Sequence, residues 1–194
     1  MRRPHGKPAA ADEPARSAPA GAATEPVASG AAAKPQVELA LLRRALGRFT
    51  TGVTIVSCLD ARGRPVGLTV NSFNALSLDP PLVLWSLRES SASVSAFAGA
   101  SHFVVNVLAE GQLEISRRFA SRISDKFAAV DWSPGIGGGP VLSGCAAVFE
   151  CENSAQQIVG DHHLYFGRVL VCSEQALKPL IYQGGHYRRL GTAL

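Results

Sequence analysis

The stretch that decides the fold is residues 67–82, which reads Gly-Leu-Thr-Val-Asn-Ser-Phe-Asn-Ala-Leu-Ser-Leu-Asp-Pro-Pro-Leu. Its first residues alternate between apolar and polar side chains, as in a half-buried β-strand. Asp79-Pro80-Pro81 predicts a turn, because each proline fixes its own φ angle and keeps the preceding residue extended. Two alternatives remain open for the hydroxyl and amide side chains between strand and turn. They form either an edge that binds a flat, heteroatom-rich ligand or an ordinary strand end with a loop.

More strands are predicted on both sides of this stretch. Residues 53–59 are rich in β-branched side chains and lead through a glycine-containing hairpin turn at 60–65 to the strand at 66–71. Continuous apolar character at 82–87 is typical of a buried strand. Similar patterns predict further strands at 103–108, 141–142, 146–152, 164–172, 180–182 and 186–190.

Helical patterns are few. Apolar side chains recur at helical spacing in residues 37–49, which predicts an amphipathic helix packed on the strands. Shorter helices are predicted at 90–100, with a serine cap, and at 110–122. The glycine-rich segment 133–140 is predicted to be a loop. Regularly spaced strands with few helices favour a closed β-barrel with peripheral helices over a parallel sheet or a Rossmann domain.

Composition limits the classes of partner. The 194 residues suffice for one domain of ordinary size, and 46% of them are hydrophobic while 18% are charged. Surplus apolar surface often forms a subunit interface, so we expect a homodimer. Residues 1–36 contain five basic and three acidic residues, so half of the net charge of +4 belongs to them. The nearly neutral remainder argues against a nucleic acid partner.

Residues 1–36 are rich in alanine and proline and have no apolar period, which predicts a disordered tail before a domain at 37–194. No apolar run approaches the roughly 18 residues of a membrane span, and no secretory leader is recognisable. The cysteines Cys58, Cys145, Cys151 and Cys172 form no C-x-x-C pair. We therefore expect buried reduced thiols, a cytoplasmic location and no bound metal.

Four motifs together resemble one protein family. They are Thr51-Gly52-Val53-Thr54, the stretch 67–82, Gly160-Asp161-His162 and Gly185-His186-Tyr187-Arg188. In this order, within residues 41–190, they resemble the short-chain flavin reductases, the reductase components of two-component flavin-dependent monooxygenases. The resemblance implies a flavin-binding split β-barrel of the Greek-key type, mainly β with a few peripheral helices. It also implies hydride transfer from NADH or NADPH to FAD or FMN. The partner would be a monooxygenase, reached directly or only through diffusible reduced flavin.

The resemblance implies a set of flavin contacts. The ring and ribityl chain would contact Thr51, Gly52, Val53, Thr54, Leu68, Thr69, Val70, Asn71, Ser72 and Ser77. Asn71 or Ser72 could hydrogen-bond ring heteroatoms, and Gly52 would permit close backbone approach.

The flavin phosphate needs cations or amide donors. Arg118 and Phe119 lie in a segment that resembles the family's phosphate segment, and Ser90 and Ser91 precede a predicted helix N-terminus. Arg118, Arg122 and Lys126 would form one basic stripe if the helix continued to residue 126. The alternative for Arg118 is an ordinary surface pair with Glu114.

The hydride donor has its own candidates. His162 is the catalytic candidate, because an imidazole can orient a nicotinamide or hydrogen-bond the reacting edge of a flavin. The alternative is a solvated loop histidine. His186, Tyr187 and Arg188 resemble the segment that meets the dinucleotide, where Tyr187 would stack and Arg188 would pair with a phosphate. The alternative there is an edge strand with alternating polar side chains.

Two other functions stay open at this point. A split barrel can carry or sense flavin or haem without turnover, and a related barrel could oxidise pyridoxamine phosphate. The Gly-Asp-His and Gly-His-Tyr-Arg motifs favour the reductase over both.

Overall fold

The computed structural model describes residues 37–192, so the predicted tail at 1–36 lies outside the described residues. This part of the chain contains the helices α1 (Leu39–Leu46), α2 (Val94–Gly99) and α3 (Leu113–Ala120), with short 3₁₀ turns at Glu110–Gln112 and Ile136–Gly138. Its strands are β1 (Thr51–Gly52), β2 (Thr54–Leu59), β3 (Pro65–Val70), β4 (Asn74–Leu78), β5 (Pro81–Arg88), β6 (His102–Val107), β7 (Trp132–Pro134), β8 (Pro140–Leu142), β9 (Ala147–Val159), β10 (His162–Glu174), β11 (Ile181–Gln183) and β12 (His186–Arg188).

Seven strands form one antiparallel sheet in the order β3-β2-β6-β9-β10-β5-β4. The Ser72 hydroxyl, just after β3 at one end of this order, bonds to β5, the strand next to the other end: it donates to the Ser86 carbonyl at 2.9 Å and accepts from the Ser86 N–H at 3.0 Å. These bonds connect the end of β3 to β5 and leave β4 on the outside. The predicted fold, a mainly β split barrel with peripheral helices, is confirmed.

The barrel encloses an aromatic core. The Trp85 ring stacks on Tyr165 with centroids 4.6 Å apart, and Phe97 and Phe103 meet Trp85 edge-on. All four side chains are buried, and so is Val56 beside them. Removing a wholly apolar side chain such as Phe97, Phe103 or Val56 from water contributes roughly 1.5–3 kcal/mol.

A second core lies on the other face of β2 and β6. Ile55 belongs to this outer core with Val104 and Phe119, whereas the neighbouring residue Val56 faces the inside of the barrel. Because both faces of β2 are buried, apolar side chains occur on both of them and the strand shows no apolar–polar alternation. The outer core attaches α3 to the barrel.

A smaller sheet of order β1-β11-β12 continues from the barrel. It is attached through backbone bonds from the Val53 N–H to the Leu180 carbonyl, 3.2 Å, and from the Leu180 N–H to the Leu108 carbonyl, 2.8 Å. The hairpin of β7 and β8 is held by buried Asn106, whose side chain accepts from the Leu142 N–H at 2.8 Å and donates to the Pro140 carbonyl at 3.3 Å.

The structure corrects the prediction for the first helix. α1 has no buried residue, and Leu39 and Leu46 are 66% and 64% exposed. The expected packing of this helix on the barrel is therefore wrong for the chain as described. Helical spacing of apolar residues shows that a helix has an apolar face, but it does not identify what covers that face. No helix within residues 37–192 is long and apolar enough to cross a membrane.

Other element boundaries also differ. Residues 74–78 form a strand rather than a loop, the 133–140 loop contains β7, and the helix expected to reach residue 122 ends at Ala120. β9 extends seven residues beyond its predicted end. The sequence did not predict this extension, because residues 153–159 are polar or exposed on both faces and show no alternation. Cys172 is exposed, which corrects the expected burial, whereas the other three cysteines are buried and all four are free thiols.

Gly167 in β10 generates a prediction about stability. A Cβ atom there would lie 2.5 Å from Phe103 Cζ and 2.9 Å from Cys151 Cβ, both inside the barrel. Gly167→Ala should lower the free energy of unfolding by about 1–3 kcal/mol through overpacking, measured by urea denaturation. Gly99→Ala is the matched control, because nothing lies within 4 Å of a Cβ at that position. Equal stabilities of the two variants would contradict this packing.

Candidate functional site

A groove of about 1130 Å³ runs beside β3. Three segments line it: the strand and hairpin residues 64–69 with Asp60, the loop 90–93, and residues 119–127, which comprise the end of α3 and the segment after it. A volume of this order suits a nucleotide-sized ligand. We refer to this space as the β3 groove.

Gly67 sets how closely the third segment approaches the strand. A Cβ at Gly67 would lie 2.7 Å from Phe119 Cε1 and 3.0 Å from Phe127 Cζ. These two rings meet edge-on at 4.9 Å, and Phe127 also meets Trp132 edge-on at 5.9 Å. The wall formed by residues 119–127 therefore depends on the missing side chain at Gly67.

Arg118 and Lys126 hold that wall in place. Arg118 Nε donates to the Lys126 carbonyl and an Arg118 Nη to the Asp125 carbonyl, each at 2.7 Å. Lys126 Nζ donates to the Phe119 carbonyl at 2.7 Å and to the Gly67 carbonyl at 3.3 Å. The Arg118 guanidinium therefore hydrogen-bonds to backbone carbonyls of the chain itself, and Arg118 does not line the β3 groove.

The predicted basic stripe is therefore wrong. α3 ends at Ala120, so Arg118, Arg122 and Lys126 do not share a helix face. The alternative for Arg118, a surface pair with Glu114, is not formed either, because Glu114 Oε1 accepts from Arg117 at 2.7 Å. Arg122 and Lys126 nevertheless line the groove from the irregular segment.

Lys126 lines the β3 groove and hydrogen-bonds to the backbone of β3. Burial lowers the pKa of the Lys126 ammonium from its ordinary value, because desolvation disfavours the charged form. An ammonium has three N–H donors, and the two carbonyl bonds use two of them. The third donor has no hydrogen-bond partner within residues 37–192.

The structure divides the predicted flavin contacts into three groups. Five of them line the β3 groove: Leu68, Thr69, Ser90, Ser91 and Phe119. Four others have positions inside the barrel framework: Val53 and Val70 in the cores, Thr54 bonded to the Val70 carbonyl at 3.0 Å, and Ser72 at the barrel closure. The remaining contacts Thr51, Gly52, Asn71 and Ser77 lie outside the groove lining.

Ser90 and Ser91 lie close to their predicted setting but not within the helix start. α2 begins at Val94, and its N-cap residue is Ser93. The Ser91 hydroxyl accepts from the Ser93 N–H at 3.3 Å. The two serines contribute hydroxyl groups to the lining of the β3 groove.

His162 lies at the start of β10 and does not itself line the β3 groove. In the sheet, His162 is the register partner of Arg88 at the end of β5. The preceding residue, Asp161, accepts a hydrogen bond at its carbonyl from the Glu89 N–H at 2.9 Å. His162 Nδ1 lies 2.7 Å from Asp161 Oδ1, and this hydrogen bond lowers the pKa of Asp161. An ionised carboxylate only accepts, so Nδ1 carries the proton and Nε2 remains available for a ligand. His163, in contrast, stacks near Tyr165 with centroids 6.4 Å apart.

The C-terminal candidates are linked to the groove only through α3. The Tyr187 hydroxyl lies 2.9 Å from the Ser116 hydroxyl, and the Ser116 carbonyl accepts from Thr69 Oγ1 at 2.6 Å. His186 Nδ1 lies 2.9 Å from the Gly184 carbonyl, and Arg188 is exposed. None of the residues 186–188 lines the β3 groove, and β12 is the edge strand of its sheet.

Sequence reasoning missed Asp60 and Arg64 as groove residues. Their signal is an acidic and a basic residue four positions apart across a glycine-containing turn. No group of three or more His, Cys, Asp or Glu side chains within residues 37–192 is arranged to hold a metal ion.

Comparison with known proteins identifies relatives of this arrangement. The family model for the flavin reductase like domain matches residues 46–191. A probable flavin reductase of Rhizobium meliloti is 47% identical over 148 residues, which are 75% of this chain and 47% of that protein. The chain therefore spans about half the length of that relative. A flavin-dependent monooxygenase reductase subunit of Rhodococcus jostii is 42% identical over 165 residues, 84% of either protein.

A solved structure is similar over most of its length. The NADH:FAD oxidoreductase of Streptomyces globisporus, in complex with NAD and FAD fragments, has a TM-score of 0.74 and 35% sequence identity to this chain. The match covers 78% of this chain and 92% of that structure.

The bond between Tyr187 and Ser116 generates a prediction. Ser116 is fully buried, so Tyr187→Phe leaves its hydroxyl without a partner and should cost about 1–3 kcal/mol of unfolding free energy. Tyr182→Phe is the control, because Tyr182 meets Tyr187 edge-on and its hydroxyl has no hydrogen bond within residues 37–192. Urea denaturation of both variants measures the difference. If Tyr182→Phe is as destabilising as Tyr187→Phe, the Ser116 bond does not hold α3 to the small sheet.

Proposed function

This chain belongs to the flavin reductase-like family, and we propose that it is an NAD(P)H:flavin oxidoreductase that passes a hydride from NADH or NADPH to FAD or FMN. The observation that carries the proposal is the β3 groove, whose lining includes Lys126 with its third ammonium donor and the hydroxyls of Ser90 and Ser91. The released reduced flavin would serve a separate flavin-dependent monooxygenase, as the name of the Rhodococcus relative indicates for that protein.

The residues of the groove fit a flavin. Lys126 and the hydroxyls of Ser90 and Ser91 supply donors for a phosphate, and Leu68 and Phe119 supply apolar surface for a ring. When bound, the flavin accepts the hydride and supplies the redox chemistry. The protein holds the ring, excludes water from one side of it and leaves the other side open to the dinucleotide.

His162 is proposed to position the nicotinamide. The Asp161 carboxylate accepts a hydrogen bond from His162 Nδ1–H and so orients the imidazole ring. Nε2 is then left for a hydrogen bond to the nicotinamide. Tyr187 and Arg188 stay candidates for the remote part of the dinucleotide. Since the Tyr187 hydroxyl is bonded to Ser116, its ring face rather than its hydroxyl is the group proposed for that contact.

A second copy of the chain is the proposed stable partner. Leu76 and Leu78 on β4 are 47% and 93% exposed, and Leu170 and Val171 lie on β10 beyond the end of β5. We call these four residues the β4 patch. Exposed apolar clusters of this kind are typical of subunit interfaces. Three buried free thiols support a reducing compartment such as the cytoplasm.

Absorbance at 340 nm tests the function. Purified protein with NADH or NADPH should oxidise the donor only when FMN or FAD is added. Absence of oxidation with every pair would overturn the proposal. A protein that retains a coloured cofactor without turnover would be a carrier or sensor, and consumption of pyridoxamine phosphate would support the other enzyme.

The role of His162 generates a prediction. His162→Asn should lower kcat/KM for NADH by about tenfold or more, because a ligand hydrogen bond of roughly 1.5 kcal/mol or more is lost. The KM for flavin should stay unchanged. His163→Asn is the neighbouring control and should retain the wild-type value. A His162→Asn variant with unchanged kcat/KM would remove this residue from the mechanism.

The β4 patch generates a prediction about assembly. Leu78→Asp places a charge on the most exposed apolar side chain of the described region and should convert a dimer to a monomer. Sedimentation velocity measures the mass of the species. Leu177→Asp is the control, because Leu177 is also exposed but lies outside the patch, between β10 and β11. A wild-type protein that sediments as a monomer would disprove the homodimer.

A further inference from the structure

We propose that the β3 groove is built for FAD rather than FMN, and that Arg64 is the specificity-determining residue that receives the adenylate half. This inference rests on the proposed reductase function. It names the substrate of that site from the length of the groove and the position of its charges.

The length of the groove follows from β3. Its lining residues run along the strand from Thr69 to Pro65 and continue to Arg64 in the hairpin turn. A strand rises about 3.3 Å per residue, so this wall is roughly 16 Å long. The groove volume of about 1130 Å³ lies just above the range of about 300–1,000 Å³ that is usual for small-molecule sites.

Lys126 marks a point partway along this wall. Its ammonium lies 3.3 Å from the Gly67 carbonyl, three residues from Arg64. If an FMN phosphate takes the spare donor of Lys126, the ligand ends near Gly67. Roughly 10 Å of lined groove would then remain between that phosphate and Arg64. FAD continues from the same phosphate into a second phosphate and an adenosine. These groups would fill the part of the groove between Gly67 and Arg64.

Arg64 is held in place before any ligand binds. Its Nε donates to Asp60 Oδ2 at 2.9 Å, and an Nη lies 2.8 Å from the same oxygen. Asp60 Oδ1 in turn accepts from the Arg62 and Arg64 N–H groups, each at 2.9 Å. The side chain of Asp60 is therefore fixed by the turn itself, and it fixes the guanidinium.

This arrangement lowers the cost of binding. Hydrogen bonds from the Arg64 backbone and side chain lower the pKa of Asp60, so the carboxylate stays ionised and the clamp persists at neutral pH. A free surface arginine loses side-chain entropy when it binds a ligand, whereas a clamped one has already lost part of it. The remaining Nη donors and the planar face suit a phosphate and an adenine ring.

The adenylate group also occurs in NADH and NADPH. The experiment must therefore show whether Arg64 contacts the adenylate of FAD or that of the dinucleotide. Initial rates are measured for wild type, Arg64→Gln and Arg62→Gln. FAD and FMN are varied at saturating NADH, and NADH is varied at saturating FMN. Arg62 is the matched control, because it lies in the same turn, contributes only its N–H to Asp60 and does not line the groove.

We expect wild type to have a KM for FAD about tenfold below that for FMN, as one charge-assisted hydrogen bond would produce. Arg64→Gln should raise the KM for FAD about tenfold and leave the KM for FMN and for NADH unchanged. Arg62→Gln should behave as wild type. Arg64→Lys, which keeps the charge without the planar fork, replaces Arg64→Gln if the latter unfolds.

Other outcomes overturn the inference. A lower KM for FMN in wild type, or an equal rise for both flavins in Arg64→Gln, shows that the groove does not read the adenylate of FAD. A rise confined to NADH assigns Arg64 to the hydride donor instead. Failure of NADH oxidation with both flavins contradicts the proposed reductase itself and is distinct from all of these.

Discussion

The close approach of Phe119 and Phe127 to the backbone of Gly67 is the contact on which the candidate site depends. Because Gly67 has no side chain, the segment after α3 lies directly against β3, and Lys126 can reach the Gly67 carbonyl. The same contact connects the outer core to the groove, since Phe119 belongs to that core. The missing side chain at Gly67 thus permits both the close packing of Phe119 and the hydrogen bond from Lys126.

Much of the barrel could be predicted from the sequence. β2 and β6 are buried through most of their length, and β5 alternates buried with half-buried residues between its exposed ends, so each of these strands contains a recognisable apolar run. The outer half of β9 could not be predicted, because a strand exposed on both faces has no hydrophobic period. The packing of α1 was misjudged because its apolar residues define a face without defining the surface that covers it.

The candidate site was predictable in part. Thr69 and the two serines were identified from residue type and resemblance, and they line the groove. The basic residues were misassigned because helix length decided the outcome: α3 ends at Ala120, which frees Lys126 for the groove and leaves Arg118 to support the loop. Arg64 was missed because a charged turn residue usually indicates only solvent exposure, and its role follows from the fold of the β2–β3 hairpin.

The two tryptophans of the chain lie in separate environments. Trp85 is fully buried in the barrel against Tyr165, whereas Trp132 is 36% exposed and meets Phe127, which lines the groove. Indole emission shifts to shorter wavelength in apolar surroundings and responds to neighbouring groups. The intrinsic fluorescence of this protein therefore contains two signals, one from the integrity of the barrel and one from events at the groove wall, without any added label.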